Sequence, residues 1–121
     1  MCIRDSVSKE FTREGGIAGA RELLDRDLTA IVGLNDAMAI GILSELRQHG
    51  IGVPEDISVV GFDDIAVAAD VATALTTARI PMFEMGQHAV ALILRPASDE
   101  ARTITTAHEL IVRASSGPPK R

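Results

Sequence analysis

Residues 30–64 read AIVGLNDAMAIGILSELRQHGIGVPEDISVVGFDD, and this stretch decides the fold class. A short apolar run at 30–34 is typical of a strand buried on both faces, and the β-branched run at 57–62 predicts a second strand. Between the runs, Asn35 can cap a helix and Gly50 can end it. The apolar stripe of that helix is Met38, Ile42 and Leu46. Strand, helix and strand at these spacings form a βαβ unit, which builds a parallel sheet.

The residues before this unit predict one more helix. Residues 7–11 have a β-like composition, and Thr12 is a suitable cap for a helix that runs to about Asp25. The apolar face of this helix is Ile17, Ala20 and Leu24. The pattern therefore continues the alternation of helices and strands.

The residues after the unit predict a third helix between two strands. Residues 65–74 form a short helical turn and a loop, and residues 75–80 are β-like. Pro81 suits the first position of a helix that Pro96 ends. Its apolar stripe is Met82, Gly86, Ala89, Val90, Ile93 and Leu94. A last strand is expected at 110–112, followed by a frayed, proline-rich tail.

Composition excludes several classes of protein. The chain has 121 residues, of which 46% are hydrophobic, so it is not an intrinsically disordered chain. No apolar run reaches the roughly 18 residues that a membrane span needs. The single cysteine, Cys2, excludes an internal disulfide framework. The formal charge is −5, and residues 35–70 hold seven acids and one base, which would repel a phosphate backbone.

The sequence shows no catalytic or metal-binding constellation. The three histidines, His49, His88 and His108, are far apart, and none stands at a ligand spacing from another histidine or from the cysteine. No P-loop or nucleophile-elbow motif is present. We therefore expect no enzyme activity, no catalytic residues, no metal and no cofactor.

Two polar pairs follow the predicted strands of the βαβ unit. Asn35 and Asp36 follow the first strand, and Asp63 and Asp64 follow the second. Ligands of open parallel sheets bind beyond the carboxyl ends of the strands. An amide and a carboxylate at that edge can bind the hydroxyls of a small polar ligand. Equally, Asn35 can be a helix cap only, and Asp63 can do no more than begin a turn.

Five blocks of the sequence, taken together, resemble the LacI/GalR family of bacterial transcription regulators. They are residues 30–41, 53–64, 75–79, 84–86 and 109–115. Their order and spacing match the family, and the resemblance covers about residues 7–119. It departs from the family pattern at Ala74, where a proline often precedes Leu-Thr-Thr, and in the leader MCIRDS.

The resemblance implies an incomplete α/β lobe of the periplasmic-binding-protein-like type I fold. Such regulators look like a helix-turn-helix, a hinge helix and a two-lobed sensor, of which this chain matches about the last third. The implied organisation is a non-native or disordered leader (1–6), the C-terminal lobe (7–75), a crossover and helix of the N-terminal lobe (76–96), a return loop and strand (97–114) and a tail (115–121).

The resemblance also implies a binding site. Asn35 and Asp63 fall on effector-contacting positions, and Phe11 falls where an aromatic or apolar residue can pack on the ligand. Phe11 can also be an ordinary anchor between strand and helix. Asp36 and Asp64 are interpreted as supporting or capping residues.

The implied function is that of a ligand-sensing and dimerisation fragment of a cytoplasmic regulator. A small sugar-like effector is its expected ligand, and operator DNA is contacted only through a domain outside this chain. A homodimer is expected to form through the C-terminal lobe, on the outward side of the 36–49 helix together with residues 65–71, and no membrane is involved. The alternative is a periplasmic sugar-binding protein of a transport system, which has the same two-lobed architecture.

Overall fold

The computed structural model describes residues 5–96 and 101–119 and shows four strands and three α-helices within them. In chain order the elements are α1 (Arg13–Leu23), β1 (Ala30–Val32), α2 (Asp36–Gln48), β2 (Ser58–Asp63), a 3-10 helix (Ala66–Ala69), β3 (Thr76–Arg79), α3 (Met82–Ile93) and β4 (Glu109–Ile111). Residues 1–4 of the expected leader, most of the 97–102 loop and the last two residues lie outside the described residues.

The four strands form one sheet in the order β1-β2-β3-β4. β1 pairs in parallel with β2, with Ile31 opposite Val59, and β2 pairs in parallel with β3. β4 is antiparallel to β3, with Arg79 opposite Glu109. The predicted βαβ unit and its parallel sheet are confirmed.

The helix ends follow the predicted capping residues. The Thr12 hydroxyl accepts a hydrogen bond from the Gly15 N–H at 3.0 Å, and the Asn35 side chain accepts one from the Met38 N–H at 2.8 Å. Gly50 has a φ of 69°, the left-handed conformation that ends a helix after its last turn. Local sequence therefore fixes where α1 and α2 begin and where α2 stops.

The core lies on one face of the sheet only. Ile31 and Val59 share it with residues of α1 and α2, and Met38, Ile42 and Leu46 are all buried, as predicted. The other face presents Val32, Val60, Phe62, Ala78 and Leu110, which we call the open sheet face. Val32 is 65% exposed, so the prediction that β1 is buried on both faces was wrong. Both helices that flank β1 in sequence contribute to the same core.

α1 and α2 pack closely because glycines lie at their contact. A Cβ on Gly41 would stand 2.1 Å from the carbonyl oxygen of Arg13, and one on Gly16 would stand equally close to the carbonyl oxygen of Met38. Next to this contact, the Arg21 guanidinium donates to both oxygens of the fully buried Glu45 carboxylate, at 2.6 and 3.2 Å.

α3 has no buried residue. Its predicted stripe is present, yet Ile93 is 80% exposed and Phe83, beside the stripe, is 82% exposed. The helix begins at Met82 with Pro81 as its cap, one residue later than expected.

The expected frayed tail is instead tied into the sheet at its start. Ser115 is fully buried, its Oγ accepts from the Thr76 N–H at 2.8 Å and donates to the Val59 carbonyl at 2.6 Å. The Gly117 N–H donates to Ser58 Oγ at 3.1 Å. Through these contacts, Ser115 lies between the beginnings of β2 and β3. At the other end of the chain, residues 7–11 form no strand.

Candidate functional site

The polar residues that follow β1 and β2 meet at one edge of the sheet. The Gly33 N–H donates to the Val60 carbonyl at 2.8 Å, so the hydrogen bonding between the first two strands continues one residue beyond β1. Asn35 then begins α2, and Asp63 is the last residue of β2. Both predicted polar positions therefore lie at the carboxyl edge, where open α/β sheets bind ligands.

Asn35 both caps α2 and fixes the preceding loop. Its Oδ1 accepts from the Met38 N–H, and its Nδ2 donates to the Phe11 carbonyl oxygen at 3.3 Å. The side chain is partly exposed. Because an amide has two donors and two acceptor lone pairs, one donor and one lone pair stay available for a ligand.

Asp63 presents a carboxylate to which no side-chain or backbone donor among the described residues is hydrogen-bonded. Its φ of 115° lies in the left-handed region, which aspartate adopts less readily than glycine does. Partial burial and, next, the charge of Asp36 raise the pKa of the Asp63 carboxyl. A partly desolvated acceptor of this kind binds a hydroxyl donor strongly once the donor arrives.

Asp36 supports the same edge from inside the protein. It is fully buried, and its carboxylate accepts from the Thr77 hydroxyl at 2.6 Å and from the Ile65 N–H at 2.9 Å. A Cβ on Gly61 would lie 2.2 Å from Asp36 Oδ1, so only glycine leaves room for this carboxylate. Asp36 thus connects the start of α2 with β3 and with the loop after β2.

Asp64 forms a second polar cluster with two arginines. Its Oδ1 accepts from Arg113 Nη2 at 2.6 Å, and its Oδ2 accepts from Arg79 Nε at 2.7 Å. Burial acts against ionisation here, but the two hydrogen bonds and the arginine charges prevail and lower the pKa of Asp64. The supporting role expected of Asp36 and Asp64 agrees with these contacts.

Phe11 lies near Asn35 in the chain fold, but its side chain lines a separate cleft. It is 65% exposed and lines an open cleft of about 640 Å³ along the free edge of β1, together with Val32, Leu34 and Met38. Asn35 and Asp63 do not line this cleft. The structure therefore brings Phe11 to Asn35 through its backbone, and packing of its ring on a ligand stays a prediction.

Sequence reasoning missed the residues that hold the carboxylates. Thr77, Arg79 and Arg113 were not singled out, nor was Ser115, which bonds to β2 and β3, although all four carry charged or hydroxyl side chains within the blocks quoted above. Their partners stand 15 to 56 positions away in the chain, and no local periodicity reports such contacts.

Among the described residues, no group of histidine, cysteine and acidic side chains could hold a metal ion. In the same part of the chain, every helix is too short or too polar to cross a bilayer.

The chain matches a family of binding domains and a bacterial transcriptional regulator. Residues 4–116 match the family model described as a periplasmic binding protein-like domain. The chain is 46% identical over 97 residues to the HTH-type transcriptional regulator reg1 of Streptomyces lividans, and this match covers 75% of the chain but 28% of the relative.

Two solved structures share the fold over nearly the whole chain. A LacI family transcriptional regulator from Enterococcus faecium with bound ribose gives a TM-score of 0.82 at 33% identity, over 93% of this chain and 43% of that one. Its counterpart from Enterococcus faecalis, also with bound ribose, gives 0.86 at 33% identity, over 94% of this chain and 44% of that one. The chain thus spans less than half the length of each of these proteins.

Proposed function

This chain belongs to the LacI family of transcriptional regulators, within its periplasmic binding protein-like domain, and we propose that it is the effector-sensing and dimerisation segment of such a regulator. The observation that carries the proposal is the Asp63 carboxylate, partly buried and without a donor among the described residues, at the sheet edge that also carries Asn35. The relatives with bound ribose support a sugar as the class of effector.

In this proposal each site residue has one role. The Asp63 carboxylate accepts hydrogen bonds from sugar hydroxyls, and Asn35 adds its second amide donor and its remaining lone pair. The Phe11 ring packs on the apolar face of the sugar from the loop before α1. Sugar rings offer hydroxyls on their rim and C–H groups on their faces, so this set of side chains matches both surfaces.

Operator DNA belongs to a part of the regulator outside this chain. The chain is acidic, with a formal charge of −5, and residues 35–70 would repel a phosphate backbone. A cytoplasmic regulator fits the relatives, which are transcriptional regulators, better than the alternative of a periplasmic transport protein. The complete reading frame discriminates between them: a helix-turn-helix upstream supports the regulator, and a cleavable signal peptide supports transport.

The outward side of α2 is the proposed dimer surface. Ile40 and Leu43 are only partly buried, and with Val71 they line a shallow cleft of about 220 Å³. Apolar side chains on a second side of a helix need a cover, and a two-fold dimer supplies one. We expect Leu43→Glu to make the complete regulator monomeric by sedimentation at micromolar concentration, whereas Gln48→Glu, on the exposed end of the helix, leaves it dimeric. A correctly folded, fully dimeric Leu43→Glu protein would exclude this surface.

The test of effector binding is calorimetry on the complete protein with D-ribose first, followed by other pentoses and disaccharides. We expect Asp63→Ala to weaken binding by roughly ten- to a hundredfold, because a hydrogen bond to a charged group contributes about 1.5–3 kcal/mol. Asn35→Ala should act in the same direction and also cost about 1 kcal/mol of stability through the lost helix cap. Asp25→Ala, an exposed acid beyond α1, is the control. Unchanged affinity in Asp63→Ala would remove this residue from the site.

A further inference from the structure

The turn that presents Asp63 is strained at two consecutive residues. Asp63 and Asp64 have φ values of 115° and 57°, a region that residues other than glycine rarely adopt. Such a backbone persists only where the surrounding contacts hold it. The contacts around this turn therefore determine where the Asp63 carboxylate points.

Most of those contacts are made by Asp64, the residue next to Asp63. The Asp64 side chain is 8% exposed, and its two oxygens are held by Arg113 at 2.6 Å and by Arg79 at 2.7 Å. The Asp64 N–H also donates to Thr77 Oγ1 at 3.4 Å. Beyond the turn, the Ile65 N–H donates to the buried Asp36 carboxylate. The turn is thus fixed from three sides.

Of the two arginines, Arg113 is the better anchored. Its side chain is 17% exposed, its Nη1 donates to the Leu75 carbonyl at 2.8 Å, and its backbone N–H donates to Thr76 Oγ1 at 2.9 Å. Arg79 is half exposed and also donates to Glu109 at 3.1 Å. The Arg113 guanidinium is therefore held by the Leu75 carbonyl, immediately before β3, as well as by Asp64.

We propose that Arg113 is a positioning residue for the effector: through Asp64 it holds the strained turn in the conformation that aims the Asp63 carboxylate at the ligand. The inference rests on the effector role proposed for Asp63. Arg113 does not itself contact the sugar. Its contribution is preorganisation, because a turn that has relaxed must be restored before Asp63 can bind.

The first experiment measures the turn directly in the 121-residue chain. Backbone scalar couplings report φ at residues 63 and 64, and titration of carbon-13-labelled aspartate reports the pKa of the Asp63 carboxyl. In Arg113→Met we expect φ to move to negative values and the pKa of Asp63 to fall toward its ordinary value, because the carboxylate becomes solvated and moves away from Asp36.

The matched control is Arg21→Met, which removes an arginine from another buried carboxylate, Glu45, at the α1–α2 contact. It should lower stability and leave both readouts at the turn unchanged. Arg113→Lys keeps the charge but supplies a single donor group, so we expect shifts of intermediate size. If Arg113→Met does not fold, Arg113→Lys decides. Unchanged φ and an unchanged Asp63 titration in a folded Arg113 variant would overturn the proposal.

The second experiment measures D-ribose binding by the complete protein. Arg113→Lys should weaken ribose binding by about tenfold, the loss expected when the competent turn is populated about a tenth of the time. Arg21→Lys should bind as the wild type does. A wild-type protein that binds neither ribose nor another sugar would contradict the proposed function. That failure is separate from the first experiment, which tests Arg113 without a ligand.

Discussion

α2 and α3 both carry an apolar stripe, but α2 is packed against other elements whereas α3 is exposed. α2 buries eight of its residues, among them two acids, whereas α3 buries none. The apolar stripe of α2 meets α1 and the sheet in one core. The stripe of α3 meets no comparable surface among the described residues, and Phe83, Ile93 and Leu94 are about four-fifths exposed. A helical stripe thus predicts that a helix needs a partner, and it does not predict where the partner is.

The polar groups show the same difference. In the region formed by α1, α2 and the sheet, Asp36, Glu45 and Ser115 are fully buried, and every buried side-chain polar atom among the described residues has a hydrogen-bond partner. In α3 the paired groups are Glu84 and His88, one turn apart on the surface. The first region, which we call the completed region, has a buried interior with paired polar groups. α3 carries the apolar side chains of an interior, but they are exposed.

The largest expected effect tests the completed region with one methyl group. In Gly41→Ala the new Cβ meets the Arg13 carbonyl, so α1 and α2 must separate. We expect the free energy of unfolding to fall by about 3 kcal/mol, the upper end for overpacked cores. Urea unfolding followed by circular dichroism measures this. A loss below about 1 kcal/mol would mean that the helix contact adapts easily.

The next largest effect is expected on removal of the Ser115 hydroxyl, which lies between the beginnings of β2 and β3. Ser115→Ala leaves the Thr76 N–H and the Val59 carbonyl without that partner in a buried site. The expected cost is about 1–3 kcal/mol of unfolding free energy, measured in the same way. Ser8→Ala, at an exposed position, should leave the stability unchanged. Equal stability of the two variants would mean that the tail is not held as described.

The pH dependence of the completed region tests its buried ion pair. The hydrogen bond from Arg21 lowers the pKa of Glu45, so the folded state favours the ionised carboxylate. This contribution is present above about pH 4.3, where an unfolded glutamate titrates, and is lost as the pH falls through the lower folded pKa.

Glu45→Gln should therefore flatten the acid limb of the stability curve. The measurement is urea unfolding between pH 7 and pH 3. Arg21→Gln, which removes the other partner, should flatten the same limb. Parallel curves for wild type and Glu45→Gln would show that this pair does not contribute to acid sensitivity.

The smallest effect has the opposite sign and lies in α3. A Cβ on Gly86 would meet nothing within 4 Å, so Gly86→Ala adds helix propensity without a clash. We expect a gain of about 0.5–1 kcal/mol in the stability of this helix, seen as slower amide exchange. With Gly41→Ala it forms a matched pair of identical substitutions. A loss of stability at Gly86 would show that α3 is packed after all.

The residues at the ends of the helices were predicted correctly from the sequence. Thr12, Asn35 and Gly50 mark helix ends in the structure because capping and left-handed backbone depend on neighbours within a few residues. The order of strands and helices followed from the apolar periods. Residues 7–11 have a β-like composition but form no strand, because composition without a pairing partner does not make one.

The remaining errors concern contacts between distant parts of the chain. The tail was expected to fray because Ser, Gly and Pro indicate a loop, whereas Ser115 is buried by contacts with Val59 and Thr76. The open face of β1 was missed because an apolar run does not report how many layers cover it. The position of Asn35 and Asp63 at the carboxyl edge of the sheet was predicted correctly, but the arginines that hold Asp64 were not identified.

The antiparallel pairing of Arg79 with Glu109 makes β3 and β4 the two arms of a β-hairpin with a very long connection, which contains α3. The entropy of closing such a loop grows only with the logarithm of its length, so doubling the loop costs about 0.6 kcal/mol. Its two ends, by contrast, are fixed by the register and by the arginine contacts with Asp64. Evolution could therefore lengthen, shorten or replace the segment between them at little thermodynamic cost, while the frame that receives it stays unchanged.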